Sequence, residues 1–387
     1  MVGPKKRFTK DDGSSYPDLQ QVPFGDIVKP FTEKSTIENE DILLSSAING
    51  MFLNTELFGH QRGASNKGYK KIRRNTLVLS AQNLHLGNAN VNQRFDHGII
   101  SPAYNTYDIV GCNPDFMAHW VKRDATKRFF YNATTPGASQ CRRNVDWDAL
   151  YEQTFYLPCE EEQQKIADFL SSVDEVIAAC EAEEQNLEMQ KKAVMKKIFS
   201  QEVRFKKEDG TDFPEWEEKR LEEVVEFLDG MRKPIETSER VPGQYPYYGA
   251  SGITDYVESY IFDEDLILLS EDGANILDRN YRVCFMARGK YWVNNHAHVL
   301  RANADCVNEY ICEYLESLDY SRMNSGSAQP KLNQQTCRKI LVKKPCFDEQ
   351  RLIAEFLSDF DEAITAAKKE LELWKEMKKG LLQQMFV

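Results

Sequence analysis

A segment of 43 residues occurs twice in this chain. Residues 158–200, beginning Pro158-Cys159, align without a gap on residues 345–387, beginning Pro345-Cys346, at a constant offset of 187. More than a third of the positions are identical, among them Glu162-Gln163 with Glu349-Gln350, Ile166-Ala167 with Ile353-Ala354, Phe169-Leu170-Ser171 with Phe356-Leu357-Ser358, Asp174-Glu175 with Asp361-Glu362, and Lys191-Lys192 with Lys378-Lys379. A long internal repeat means a molecule built from two like units. The residues preceding each copy are far less alike, so the chain predicts two similar rods and two dissimilar heads.

Each rod reads as a long helix. Alternating steps of four and three visit Ile166, Leu170, Val173, Ile177, Cys180, Glu184, Leu187, Lys191, Val194 and Ile198. The same walk in the second copy visits Ile353, Leu357, Phe360, Ile364, Ala367, Leu371, Trp374, Lys378, Leu381 and Met385. A 3.5-residue period is the seam of a coiled coil. Glu184, Lys191 and Lys378 interrupt it, and polar seam residues fix register at some cost in stability. Neither rod can bury its stripe alone, so the two are expected to pack on each other; the alternative is pairing with other chains.

A second repeat flanks the first. Arg7-Phe8-Thr9-Lys10-Asp11-Asp12-Gly13 and the residues to Pro17 resemble Arg204-Phe205-Lys206-Lys207-Glu208-Asp209-Gly210 and the residues to Pro214. The order is therefore turn segment, head, rod, twice over, with heads in 1–157 and 201–344 and rods in 158–200 and 345–387. Antiparallel rods would place the heads at opposite ends about a pseudo-two-fold axis. Strand-like runs at Thr76–Leu79, Tyr260–Phe262 and Asp265–Leu269, with a helix around Asn308–Leu318, predict an α/β head in each case.

The net charge is −12, which at first argues against nucleic acid. The two rods and the turn segment 201–218 together account for all of it, so the remainder of the two heads, taken together, is neutral. Within the first head Arg62, Lys67, Lys70, Lys71, Arg73 and Arg74 lie within thirteen residues with no acid among them, and the interleaved glycines and small residues suggest a basic loop. Lys122, Arg123, Lys127 and Arg128 form a second cluster and Arg142-Arg143 a third. The second head offers Arg232-Lys233, Arg279, Arg282, Arg288 and Lys290. Basic loops neutralise phosphates and release counterions. No apolar run approaches membrane-spanning length and no secretory signal opens the chain, so no membrane contact is expected. Nine cysteines without a Cys-x-x-Cys pair favour reduced thiols in a cytoplasm.

Catalytic motifs are weak. Asn113-Pro114-Asp115-Phe116 is similar to the Asn-Pro-Pro-aromatic motif of adenine methyltransferases with one proline replaced, but no glycine-rich cofactor loop accompanies it. His296 and His298 could begin a metal site, yet no cysteine or carboxylate at ligand spacing completes it, so no metal is expected. Glu217-Glu218-Lys219 lacks a partner carboxylate, and no phosphate-binding Gly-x-x-x-x-Gly-Lys-Ser/Thr occurs.

The runs Leu157-Pro158-Cys159-Glu160-Glu161-Glu162-Gln163-Gln164-Lys165-Ile166-Ala167-Asp168-Phe169-Leu170 and Pro345-Cys346-Phe347-Asp348-Glu349-Gln350-Arg351-Leu352-Ile353-Ala354-Glu355-Phe356-Leu357 resemble the conserved regions of the specificity subunit of Type I restriction–modification enzymes. Ile100-Ser101-Pro102-Ala103-Tyr104, Tyr245-Pro246-Tyr247-Tyr248-Gly249-Ala250-Ser251-Gly252, Val293 to Val299 and Gly326-Ser327-Ala328-Gln329 resemble elements of the same family. The resemblance covers essentially the whole chain. It implies that each head is a target recognition domain reading one half of a bipartite double-stranded DNA sequence. The helices would set the spacer and dock two modification subunits, which restriction subunits join. Such a subunit is not an enzyme and holds no cofactor; S-adenosylmethionine, ATP and Mg would sit on the partners. The competing reading is a coiled-coil adaptor that ignores nucleic acid.

Direct readout uses Arg or Lys on guanine and Asn or Gln on adenine. The DNA-facing candidates in the first head are the Arg62–Arg74 run with Gln82, Asn83 and Arg94. In the second head they are Arg232, Lys233, Tyr248, Ser251, Asn275, Arg279, Asn294, Asn295 and His296. Glycines beside them (Gly249, Gly252, Gly273) would allow close backbone approach.

Overall fold

The computed structural model describes residues 6–60, 65–136, 143–326 and 329–386. The chain divides into two units, one of residues 1–181 and 369–387 and the other of residues 182–368. Each unit holds one head, the first part of one long helix and the last part of the other.

The long helices span Glu160–Phe199 and Phe347–Met385. Three glutamates open the first turn of the former and Lys196 and Lys197 close it, charges that suit the two ends of the helix dipole. In the first unit the two helix segments run antiparallel: Asp174 meets Lys378, and Glu181 meets Lys375 at 3.1 Å. In the second unit Lys368 meets Glu184 and Glu188 at 3.6 and 2.7 Å, and Lys191 meets Asp361 at 2.6 Å. Of the seam, Ile166, Leu170, Val173, Ile353, Leu357, Ile364 and Leu371 are buried, while Ile177, Leu187, Phe360 and Trp374 are half-buried.

The apolar stripes are thus covered within the chain. Lys191 and Lys378, at equivalent points of the repeat, each find the equivalent aspartate of the facing helix, so the seam's interruptions specify register. Beside the seam the first helix supplies acids and the second supplies bases. Two copies of the first helix would oppose Glu181 to Glu188, which disfavours like-with-like pairing.

The heads share one plan despite their unlike sequences. In the first, strands Val28–Pro30, Tyr104–Ile109, Leu77–Ser80 and Ala89–Val91 form one sheet in that order. In the second, Val225–Phe227, Ala297–Ala302, Leu266–Ser270 and Cys284–Ala287 do the same. A second four-stranded sheet follows the order Gly50–Leu53, Leu43–Ala47, His97–Ile100, Lys70–Arg73 in one head. Its counterpart runs Gly252–Val257, Pro242–Gly249, Lys290–Val293, Phe262–Asp263. Even the single parallel pairing of each sheet recurs, Leu44 beside Ile100 and Tyr248 beside Val293.

The repeated motifs are the sockets that hold each head to its helix. Gln163 accepts the Asn113 amide at 2.8 Å and donates to the Pro158 carbonyl at 2.8 Å; Gln350 accepts the Val307 amide at 3.0 Å and donates to the Pro345 carbonyl at 2.9 Å. Fully buried Glu162 takes both arms of Arg7, and fully buried Glu349 takes both arms of Arg204. The arginines belong to matching turns in which Gly13 and Gly210 both adopt φ +81°, a left-handed conformation that glycine tolerates without strain. Asp12 and Asp209 brace these turns through Ser14 and Thr211.

Each head core is completed by six helix residues: Ile166, Ala167, Leu170, Leu382, Met385 and Phe386 in the first unit, and Ile353, Ala354, Leu357, Met195, Ile198 and Phe199 in the second. All six pairs are related by the offset of 187. A fully buried Leu or Phe contributes about 1.5–3 kcal/mol, so each head is anchored by its repeat and not merely tethered.

Candidate nucleic-acid interface

The basic run of the first head is only partly a loop: residues 65–69 are loop and turn, and residues 61–64 lie outside the described residues. Lys70–Arg73 is an edge strand, and acids from distant segments neutralise it. Lys71 pairs with Glu40 at 2.6 Å and Glu33 at 3.3 Å, Arg73 with Asp108 at 2.5 Å, and Arg74 with Asp96 at 2.9 Å. Lys70 donates to the Tyr104 carbonyl at 2.6 Å, and burial lowers its pKa. Lys67 is exposed, and Arg62 and Arg142 lie outside the described residues. Arg94 is held by both oxygens of Glu56, at 2.7 and 2.8 Å. These cations meet a phosphate only by exchanging a carboxylate for it.

Gln82 and Asn83 sit exposed on the turn after strand Leu77–Ser80. Asn83 lines a recess of about 600 Å³ with Ser45, Ser46, Asn54, Asn88 and Tyr104. The floor is a bonded polar network: Ser46 Oγ donates to Asn88 at 2.8 Å, Asn90 donates to Ser46 Oγ at 2.6 Å, and Tyr104 donates to the Ser46 carbonyl at 3.0 Å. Asn49, on the hairpin turn between Leu43–Ala47 and Gly50–Leu53, also lines the recess. Asn49 is not among the candidates above, although Asn49-Gly50 between two strand-like runs is a hairpin signal.

In the second head Tyr248, Asn294, Asn295 and His296 come together. The Asn294 amide donates to the Tyr248 carbonyl at 3.1 Å, and Asn294 Oδ1 accepts the His296 amide at 2.8 Å. A Cβ on Gly249 would lie 2.8 Å from the Thr254 methyl group and 3.5 Å from the Asn294 side-chain Nδ2, so this glycine admits the loop. His296 bonds Asp272 at 3.0 Å and is half exposed, while Lys233 and Ser251 are exposed. Asn275 follows strand Leu266–Ser270 as Asn83 follows its counterpart, so candidates of both heads occupy corresponding loops. Its side chain bonds both the amide and the carbonyl of Tyr281, at 2.8 and 3.1 Å. Asn275 therefore braces its loop, and the strongly exposed Tyr281 is what that loop presents. Arg279 is bound to Glu316 at 2.9 Å.

Arg232 lies beneath this group and not on its surface. It pairs with Glu271 at 2.7 Å and Asp229 at 3.4 Å and donates to the Ala297 carbonyl at 2.7 Å. Asp229, Glu271 and His298 offer ligand atoms within 4.8 Å of one another, the spacing of a metal site. Two carboxylates from distant segments therefore stand at ligand distance from His298, contrary to the expectation from sequence spacing, and Arg232 is bound to both of them. His298 donates to Asp229 at 2.7 Å and to the Leu332 carbonyl at 2.8 Å. Burial raises the carboxyl pKa values of Asp229 and Glu271, but His298 and Arg232 outweigh it and hold both below the usual range. Asn113 of the methyltransferase-like tetrapeptide is a helix N-cap, accepting the amides of Asp115 and Phe116 at 2.8 and 3.0 Å with Pro114 at the first helical position.

Two buried histidines give the units opposite pH responses. Burial lowers the His298 pKa, but the bond to Asp229 and the neighbouring Cys337 overcome it and push it up to about 10. Its contribution to stability is full below the ordinary value near 6.5 and is lost as pH rises towards 10. His119 is pushed down to about 4 by burial and by Lys378, so its contribution is full above 6.5 and is lost as pH falls through 4. Peptide-level hydrogen exchange is expected to loosen residues 114–120 on acidification and residues 294–299 on alkalinisation. A uniform response of both units at both extremes would disprove this assignment.

Residues 214–373 match the family described as the Type I restriction modification DNA specificity domain. Over 156 residues, 40% of this chain and 38% of the relative, the chain is 35% identical to a putative type I restriction enzyme specificity subunit of Haemophilus influenzae. Over 202 residues, 49% of the chain and 46% of the relative, it is 27% identical to a type I restriction enzyme specificity subunit of Methanocaldococcus jannaschii. It spans less than half the length of these two curated relatives. A type I restriction–modification S subunit from M. genitalium has the same fold, with a TM-score of 0.61 at 17% identity over 100% of this chain and 99% of that one. None of the helices among the described residues is long and apolar enough to cross a membrane. The matched domain and the curated relatives agree, and what this chain is similar to is the specificity subunits of type I restriction–modification systems.

Proposed function

We propose that this chain reads a bipartite, asymmetric double-stranded DNA sequence, with the heads in 1–157 and 201–344 each taking one half. The observation that carries this reading is one β topology used twice, with different side chains on corresponding exposed loops. Such a design gives two readers of different sequences on a common support. Asn49, Gln82 and Asn83 in the first head, and Tyr281, Asn295 and His296 in the second, are the proposed base-facing residues, while Asn294 is buried and shapes the loop that presents them. Lys67 and Lys233 are proposed phosphate contacts, since most protein–DNA hydrogen bonds go to the backbone.

The chain performs no chemistry in this proposal. S-adenosylmethionine, ATP and Mg belong to partner subunits in the cytoplasm. Two equivalent aromatic pairs support a partner present in two copies: Phe8 on Phe169 and Phe205 on Phe356, each at 5.6 Å between ring centres, with Phe169 and Phe356 partly exposed. These pairs are proposed docking points for two modification subunits, with restriction subunits joining afterwards.

The test is methylation mapping of DNA from a host expressing the cognate modification subunit with and without this chain. Modified adenines are expected in one bipartite motif only, and only when the chain is present. Methylation that persists without the chain, or never appears with it, would leave the coiled-coil adaptor as the better reading.

A further inference from the structure

We propose that Lys70 in the first head and Arg232 in the second are positioning residues for two equivalent DNA-facing loops, 101–103 and 294–296. The inference rests on the reading of DNA by the heads and extends it to a further loop of the first head.

The two loops occupy one place in the shared plan, where the chain passes from the second sheet to the first. Loop 101–103 follows strand His97–Ile100 and leads into Tyr104–Ile109; loop 294–296 follows Lys290–Val293 and leads into Ala297–Ala302. The residues before the loops sit in the matching parallel pairings, Ile100 beside Leu44 and Val293 beside Tyr248. The residues after them face matching serines, Tyr104 opposite Ser80 and Ala297 opposite Ser270. In each loop the last two residues are exposed, Pro102 and Ala103 in one and Asn295 and His296 in the other. Loops of equal length with unlike exposed side chains suit two readers of different half-sites.

In both heads a cation holds the carbonyl of the residue that follows the loop. Lys70 Nζ donates to the Tyr104 carbonyl at 2.6 Å, and Arg232 Nη1 donates to the Ala297 carbonyl at 2.7 Å. The cations come from unrelated places: Lys70 opens an edge strand, whereas Arg232 follows the turn Asp229–Met231. Different segments thus deliver positive charge to the same backbone oxygen, so the shared requirement is the oxygen and not the segment. A charge-assisted hydrogen bond is stronger than a neutral one, and here it fixes the planar peptide on which the loop closes. Lys70 also reaches Asn105 Oδ1 at 3.5 Å, and Arg232 the Asn295 carbonyl at 3.4 Å. In the second head the Glu271 amide donates to the His296 carbonyl at 2.9 Å, so the Arg232–Glu271 pair grips two successive carbonyls.

The experiment measures peptide-level hydrogen exchange of the full chain without DNA, then maps methylation in a host that supplies the modification subunit. Lys70→Met keeps the reach of the side chain and removes its donor. Arg232→Lys keeps the charge beside Asp229 and Glu271, so the head still folds, but loses the fork that spans Glu271 and the Ala297 carbonyl. Lys70→Met is expected to speed exchange at residues 101–105 about tenfold or more and to leave 294–298 unchanged, and Arg232→Lys to do the reverse. Lys67→Met, at an exposed side chain, is expected to change neither. In the methylation map each positioning variant is expected to accept further bases in one half-site while the other stays strict, a pattern that general loss of stability does not produce. Unaltered exchange at the loops, as a direct phosphate contact by Lys70 would give, overturns the positioning role; so does an equal change at both loops in either variant. Local exchange changes with both half-sites still read strictly would show that the loops are held but do not read, and overturns their assignment. If the wild-type chain directs no methylation, it is the reading of DNA that has failed, and hydrogen exchange alone upholds or overturns the hold of Lys70 and Arg232 on the loops.

Discussion

Arg7→Ala is expected to destabilise the first unit by about 3–5 kcal/mol, because it strands a buried carboxylate. Glu162 is fully buried and receives the guanidinium through Nε at 3.0 Å and Nη2 at 2.5 Å. The same arginine also donates to the Pro17 carbonyl at 2.7 Å, so the turn loses its anchor at the same time. Arg204→Ala is expected to cost somewhat less in the second unit, since Trp216 Nε1 still donates to Glu349 at 2.9 Å. Urea unfolding followed by tryptophan fluorescence measures both. The charge-free pair Arg7→Met with Glu162→Gln is expected to recover most of the loss, because no ion is then left buried. Costs below about 1 kcal/mol for both alanine variants would show that these sockets do not hold the heads.

Lys191→Met is expected to cost about 2–4 kcal/mol, and Lys378→Met about 1 kcal/mol, although the two lysines are equivalent in the repeat. Lys191 is 8% exposed and lies between Glu313 and Asp361. Arg282 also reaches these two acids, at 2.5 and 3.6 Å, so their charge is halved in compensation and not abandoned. Lys378 is 23% exposed and has one aspartate. The comparison is made by urea unfolding of the two variants. Equal costs would mean that the lysines act only in helix register and that the head acids contribute nothing.

The rods were open to reading from the sequence because their information is local. The seam from Ile166 to Leu187 and from Ile353 to Trp374 repeats every 3.5 residues, and every member is buried or half-buried in the folded chain. The turn segments were equally readable, since Asp-Gly at 12–13 and 209–210 demands the same bend. The shared plan of the heads was not readable. A β-sheet asks only for apolar residues on one face of each strand, so Leu77–Ser80 and Leu266–Ser270 fill the same place in corresponding sheets with little identity between their surroundings.

The candidate interface divides in the same way. Side-chain chemistry points to Asn83, Asn294 and His296; Asn83 and His296 are exposed, whereas Asn294 is buried in its loop. The Lys70–Arg74 run looks uncompensated along the chain because its acids, Glu33, Glu40, Asp96 and Asp108, come from other segments. Arg232 has the look of a surface cation in sequence, yet Asp229 and Glu271 draw it inward beside His298.

Periodicity and repetition along the chain were enough to specify two like helices, two matching turns and the order of the parts. Chain folding decided which helix faces which, through the acids of the first and the bases of the second. It also decided which cations stay available, because an ion pair depends on the distance between groups that may be a hundred residues apart, and that distance is not written locally.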